Sequence, residues 1–392
     1  MNNTIFPPVN DLQTRWKRAQ DAMSEKGSTA CLIASTTNIY YLTGQVFNGY
    51  VYFPVSGEPI YFVRRPNDIK NQWSIPIRKA EDIPQLLHEQ GIKSPEHVLL
   101  ETDQLTYNEC VRLQALFPNA TTGNATSLFR TLRMIKTPWE IGQLRISGKI
   151  HTEVYDKIKN YYQPGMSDIE LQSNIEREMR LAGSMGFFRS FGSNMDIYMG
   201  SLLTGDNAET PSPFDYALGG EGMHPSLPIG ANGSILRDGA SIMIDMAGNY
   251  TAYISDMTRV FSVGKLPQKA YRAHQVSMDM HNWLMENVKP GILCADIYNQ
   301  SMQMVQKANL SSFFMGTKQQ AKFVGHGVGI EINELPVLME RSKDTLLQGM
   351  TFAFEPKFVL PGIGAVGNEN TYLVTDNGIE KITNFEEHII EL

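Results

Sequence analysis

Residues 241–259 read Ser-Ile-Met-Ile-Asp245-Met-Ala-Gly-Asn-Tyr250-Thr-Ala-Tyr253-Ile-Ser-Asp256-Met-Thr-Arg259. Stretches 240–247 and 252–263 alternate with a period near two. They predict antiparallel strands joined by a hairpin turn at Gly248-Asn249. Asp245 lies inside an apolar run, where an unpartnered carboxylate forfeits on the order of several kcal/mol of solvation. A two-residue turn brings Asp256, on the returning arm, beside it. Two adjacent carboxylates repel unless they share a proton or bind cations.

The same problem recurs downstream. Strands are expected over 350–358 and 371–375, with a turn at Asp376-Asn377-Gly378. Glu355 sits in Thr-Phe-Ala-Phe-Glu-Pro, and Glu369 just ahead of Thr-Tyr-Leu-Val. His326 stands in Phe-Val-Gly-His-Gly-Val-Gly-Ile-Glu, where flanking glycines let a backbone and a ligand approach closely. Any one of these residues alone reads as a salt-bridged strand residue or a core histidine. Four acids on apolar strands with one imidazole suit a pair of divalent ions, because carboxylates bridge metals and supply the negative charge.

Helices frame these strands. Thr137-Pro138-Trp139-Glu140 is a capped start with proline at the first helical position, and the helix it opens keeps its apolar period up to Pro164-Gly165. Ser167-Asp-Ile-Glu170 opens a second helix to about Ala182-Gly183. A long helix over 265–288, stopped by Pro290-Gly291, and another over 295–310 repeat the arrangement. Two such units suggest an internal pseudo-twofold duplication. The expected fold is an α/β N-terminal domain, residues 1–135, followed by an α+β domain, residues 136–392, with a curved antiparallel sheet backed by helices. Residues 183–233, rich in Gly, Ser, Asn and Pro, are too long for an idle connection and are expected to shape a pocket.

Bulk properties exclude several classes. The chain has 392 residues, 42% hydrophobic and 19% charged, as a folded multidomain protein has. Cys31, Cys110 and Cys294 are neither paired in number nor clustered, which argues against a disulfide framework or a zinc knuckle. No run of signal or membrane-spanning length is present. The net charge of −7, with acids and bases interspersed, lacks the basic footprint of a nucleic-acid binder. The expectation is a cytoplasmic protein acting on a short peptide or small molecule, without nucleic-acid or membrane partners.

Asp245 and Asp256 at their spacing, Gly325-His326-Gly327-Val328-Gly329, Phe-Glu355-Pro and Asn-Glu369-Asn-Thr resemble the five-ligand signature of the pita-bread metallopeptidases. Asn38-Ile-Tyr-Tyr-Leu-Thr-Gly44 and Leu132-Arg-Met-Ile-Lys136 resemble the N-terminal module of the prolidase, aminopeptidase P and creatinase branch, so the resemblance covers nearly the whole chain. It implies two divalent ions, manganese first, with cobalt, iron or zinc as alternatives. Asp245 would hold one ion, His326 and Glu355 the other, and Asp256 and Glu369 would bridge them. A hydroxide between the ions would attack the scissile amide, with Glu355 also moving the proton to the leaving nitrogen. A homodimer is implied as well.

The pattern also departs from that branch. Its peptidases place a histidine ahead of the first aspartate, where this chain has Ile229. They place another seven residues after the metal-binding histidine, where Asn333 stands. Asn333 can donate a hydrogen bond to an oxyanion but cannot shuttle a proton. Prolidases carry an arginine for the substrate carboxylate where this chain has Val337. His224, in Gly-Met-His-Pro-Ser, is the nearest replacement acid or base, although a loop histidine before proline is more often simply solvated. Tyr253, with Ile229 and Val337, is placed among substrate-binding positions; Arg189, Tyr198, Asp206, Tyr250 and Arg259 are further candidates to line the pocket. The leading expectation is an Xaa-Pro aminopeptidase or dipeptidase. The alternatives are a small-molecule C–N hydrolase or lyase on the same scaffold, and a non-catalytic binding protein.

Overall fold

The computed structural model describes residues 6–69, 71–193, 195 and 197–392; the first five residues of the N-terminal stretch lie outside the described residues. The chain divides into two compact units, Met1–Arg133 and Met134–Leu392. No helix among the described residues is long and apolar enough to cross a membrane.

The first unit has strands β1 (Ala30–Ile33), β2 (Asn48–Pro54), β3 (Ile60–Arg65), β4 (Ser74–Pro76), β5 (His97–Leu100) and β6 (Thr121–Asn124), in the order β4-β3-β2-β1-β5-β6. Helices α1 (Val9–Glu25), α2 (Thr36–Thr43), α3 (Ile83–Glu89), α4 (Tyr107–Gln114) and α5 (Thr126–Met134) complete it. Strand β1 runs antiparallel to β2 and parallel to β5. All four of its residues are buried, which is why it reads as an unbroken apolar run rather than an alternation.

The second unit opens with α6 (Pro138–Tyr155) and α7 (Asp168–Leu181), each started by the expected reciprocal cap, Thr137 with Glu140 and Ser167 with Glu170. Helix α6 ends short of Pro164, and a 3-10 turn at Ile158–Asn160 follows it. Next come β7 (Gly200–Thr204), β8 (Ser241–Gly248), β9 (Ser255–Ser262), α8 (Gln268–Asn287), α9 (Cys294–Lys307), β10 (Phe323–Gly327), β11 (Glu334–Met339) and β12 (Thr351–Phe354). The chain finishes with β13 (Lys357–Leu360), β14 (Gly364–Gly367), β15 (Asn370–Val374), β16 (Ile379–Lys381) and β17 (Ile390–Glu391). These strands form sheets β17-β9-β8-β7 and β11-β10-β12-β15-β16, with the pair β13-β14.

Helices α6 and α7 pack on β7, β8 and β9, while α8 and α9 pack on β10, β11, β13 and β14. Each half buries its own core. Tyr155, Ile175, Met179, Leu202, Ile244 and Phe261 form one, and Ala273, Leu284, Ile297, Val305, Phe352 and Phe358 belong to the other. The helix-pair repeat in the sequence is therefore two sheet-and-helix-pair layers in space.

Two local expectations need correction. Strands β8 and β9 are not joined by a two-residue turn, since Gly248 pairs with Ser255 and residues 249–254 bulge out. Asn249 is drawn away from a tight turn because its side chain accepts from Ser184 Oγ and Met185 N and donates to Phe187 O at 2.7 Å. The stretch 350–358 is not one strand either. Pro356 has no N–H for a ladder, so the chain breaks at Glu355-Pro356 and passes from one sheet to another.

Candidate metal centre

The longer turn shifts the register without losing the acid pair. Asp245 faces Thr258 and Asp256 faces Ala247, so the two aspartates are diagonal neighbours rather than opposite partners. The offset is an even number of residues, which leaves both on one face of the sheet. Thr371 tethers the start of β9, its Oγ1 donating to Asp256 O at 2.9 Å and accepting from Asp256 N at 2.7 Å.

His326 comes from β10. A Cβ on Gly325 would meet Ala353 O at 2.2 Å, and one on Gly327 would meet Leu335 O at 2.1 Å. The flanking glycines thus serve close strand packing, a reason for them that sequence alone did not distinguish from ligand access. Packed so, His326 Nε2 lies 3.4 Å from Glu355 Oε1 and 3.9 Å from Asp256 Oδ2. Glu355 is held at the sheet break by its N–H bond to Val324 O at 2.9 Å. Glu369 precedes β15. Its Oε2 accepts from Thr258 Oγ1 at 2.7 Å, and its carbonyl accepts from the buried Arg259 guanidinium at 2.8 Å.

Sequence reasoning missed Lys357. Its side chain is wholly buried, and Nζ donates to Asp245 Oδ2 at 2.8 Å, Glu355 Oε2 at 2.8 Å and Glu369 Oε2 at 2.9 Å. The signal was present: a lysine in Phe-Glu-Pro-Lys-Phe-Val-Leu is as costly to bury unpaired as any of the acids. Asp245, expected to give its carboxylate to a metal, gives one oxygen to this ammonium. A second missed pair is Lys136 with Glu334, 3.0 Å apart and buried; Glu334 also accepts from Ile330 N, steadying the loop after His326.

The cluster is short of positive charge. Burial, with Asp245 nearby, pushes Asp256 up to about 7, and burial and Asp256 push Glu369 well above the carboxylate range. Burial opposes a charge on His326, but its hydrogen bond to Glu355 and the surrounding acids raise it to about 10. Burial would raise Glu355 too, yet Lys357 and His326 hold it down near 2. The fit to a cation is direct: one ligand atom each from Asp256, His326 and Glu369 lie within 4.8 Å of one another, and Glu369 Oε1 is buried without a hydrogen-bond partner. An oxygen-rich set with one imidazole suits a first-row divalent ion.

Other expected site residues divide. Val337 stands directly across the ladder from His326, half-buried. Asn333 does not present a free donor for an oxyanion: Oδ1 accepts from Phe191 N at 2.7 Å, and Nδ2 donates to Phe191 O at 2.8 Å. That staple anchors Phe191 and the stretch around it, where Phe188 packs with Ala247, Ile254 and Ile332. Tyr253 is not placed to bind substrate, because it is 1% exposed and its hydroxyl donates to Glu140 Oε1 at 2.7 Å. Arg259 is equally structural, with bonds to the carbonyls of Thr258, Glu369, Phe385 and Glu386. His224 is exposed, its Nδ1 bonded to Ser226 of its own loop. It lines a surface depression with Glu221, Met223 and Asn232, to which none of the five expected ligands contributes. Ile229, half-buried in the same loop, donates its backbone N–H to Leu227 O.

Comparison with known proteins agrees with this architecture. Residues 15–135 match the creatinase/prolidase N-terminal domain, and residues 142–376 match metallopeptidase family M24. A protein named Xaa-Pro dipeptidase from Pyrococcus horikoshii is 25% identical over 379 residues, covering 95% of this chain and 98% of its own. Another of that name, from Pyrococcus furiosus, is 24% identical over 383 residues, covering 97% and 100%. Among solved structures, the Xaa-Pro dipeptidase from Bacillus anthracis shares the fold with a TM-score of 0.82 at 22% identity, over 97% of this chain and all of its own. The X-Pro aminopeptidase from Thermotoga maritima reaches 0.78 at 17% identity, over 95% of this chain and 100% of its own. The two-layer α+β unit is thus the pita-bread fold. With its N-terminal domain and its buried acid and histidine cluster, the chain belongs to metallopeptidase family M24.

Proposed function

We propose that this protein is a divalent-metal-dependent peptidase that releases the N-terminal residue from short Xaa-Pro peptides. The observation that carries the reading is the convergence of Asp256, His326, Glu355 and Glu369, from separate segments of the chain, on one buried point short of positive charge. These four would hold the ion, with manganese the first candidate and cobalt, iron or zinc the others. When bound, a divalent ion lowers the pKa of water and polarises a carbonyl. Glu355 Oε1, beside His326 Nε2, would be its ligand to the ion, because Oε2 already accepts from Lys357. Val337 puts an apolar side chain, not a cation, across from His326. That favours tripeptides and longer substrates over dipeptides, whose terminal carboxylate would find no partner there. The reading extends to a homodimer, as the resemblance implies, and to the cytoplasm, which the free Cys31, Cys110 and Cys294 suit.

A panel of Xaa-Pro, Xaa-Pro-Yaa and proline-free peptides, each with manganese, cobalt, iron and zinc, tests this by amino-acid release. Metal-dependent cleavage confined to proline at the second position is expected. No cleavage of any peptide with any metal would overturn the reading and turn the search to small-molecule C–N bonds.

A further inference from the structure

We infer that this site holds one divalent ion, not two, and that the Lys357 ammonium stands where a second would lie. The inference rests on the metal-dependent reading above. An ammonium has three N–H donors, and Lys357 commits them to three carboxylates, those of Asp245, Glu355 and Glu369, at 2.8, 2.8 and 2.9 Å. The position that satisfies these three oxygens is already the position of Nζ. An ion drawing on the same oxygens would bring like charges together in a largely buried site, which is strongly unfavourable.

The lysine is also held from behind. Strand β13 pairs residue for residue with β14, from Lys357 with Gly367 to Leu360 with Gly364. Gly367 lies so close that a Cβ there would meet Lys357 Cα at 2.9 Å, so the backbone carrying the lysine is seated against its neighbour. Lys357 cancels one of the four carboxylate charges and one divalent ion cancels two more, so a single ion already brings the cluster close to neutrality.

What the lysine leaves is a single nest: Asp256, His326 Nε2, Glu355 Oε1 and the unpartnered Glu369 Oε1. Asp245 then acts on the ion through Lys357, as a positioning residue rather than a ligand. With its N–H bonds spent on carboxylates, Lys357 is a fixed positive charge beside the ion and does not protonate the leaving nitrogen.

The test is metal content. Wild-type protein equilibrated with excess Mn(II) and freed of loose metal is measured by elemental analysis, native mass spectrometry and electron paramagnetic resonance. The expected result is about one manganese per chain with the spectrum of an isolated ion, since the remaining donors complete one coordination sphere. Two manganese per wild-type chain with an exchange-coupled spectrum would overturn the inference and leave the peptidase reading standing. No bound metal would remove both. Lys357→Gly is expected to take up a second manganese and show coupling; a variant that still binds only one overturns the substitution of ammonium for ion. Asp245→Asn is expected to keep its single ion with affinity lowered about 10- to 100-fold, as loss of an outer partner does. His326→Ala is expected to lose it, and stoichiometric binding there would overturn the placement of the nest. The wild-type measurement decides the count even where a variant does not fold.

Discussion

Lys357 Nζ and Asp245 Oδ2 lie 2.8 Å apart, joining β13 to β8 across 112 residues of sequence, with the lysine side chain wholly buried. Removing one member of such a pair leaves its partner as an uncompensated buried charge. In metal-free protein, Lys357→Met is expected to lower unfolding free energy by about 3–5 kcal/mol. Urea titrations in a chelator measure this. Excess manganese should restore the variant more than it stabilises wild type, because it supplies the missing charge. A loss under about 1 kcal/mol would show that the three acids are neutralised some other way.

Buried histidines set an acid limit on stability. His274 accepts from Gly367 N at Nδ1 and donates from Nε2 to Glu387 O, so the neutral ring is fully satisfied and a second proton would face an N–H. Burial holds His151, His274 and His281 each down to about 4 against an ordinary 6.5. Between those values the unfolded chain binds more protons than the folded one. The contribution of these three histidines is therefore full above pH 6.5 and falls as pH drops toward 4, by on the order of 3 kcal/mol per histidine at most. Unfolding titrations of wild type and His274→Gln at pH 8 and pH 5 check the sign: the advantage of wild type should shrink at pH 5, and an unchanged difference would contradict it.

Asn333 separates two roles by experiment. As a staple on Phe191, its truncation to alanine is expected to speed hydrogen exchange at the Phe191 amide about 5- to 30-fold, the effect of losing roughly 1–2 kcal/mol of local bonding, with little change in Tm. Were it an oxyanion donor instead, kcat would fall about 10²- to 10³-fold with exchange unchanged.

Val337→Arg is expected to improve Xaa-Pro dipeptide hydrolysis relative to tripeptides by about 10- to 100-fold in kcat/KM, the worth of one hydrogen bond to a charged group. Steady-state rates on matched substrates measure it. An unchanged ratio would show that residue 337 does not face the substrate's C-terminal side.

Much was readable from local sequence. The caps at Thr137 and Ser167 mark both helix starts because reciprocal side-chain bonds span only three residues. The period-two runs identify β8, β9 and β15, and the cost of burying charge singles out Asp245, Asp256, Glu355 and Glu369. Asp245 and Asp256 stand two residues out of register with each other, yet they still share a face, because only an odd shift changes sides.

Local signals end where partners are distant in the chain. Tyr253 meets Glu140 across 113 residues, Asn333 meets Phe191 across 142, and His224 turns to its own loop. None of these pairings has a period or a motif that announces it. The acid and histidine cluster was determined by the sequence itself, since buried charges on apolar strands demand compensation wherever the strands go. Which cation answers that demand was decided by the tertiary structure alone. Only the pairing of β13 with β14, which packs against β8 and β9, brings Lys357 within reach of Asp245, Glu355 and Glu369 at once.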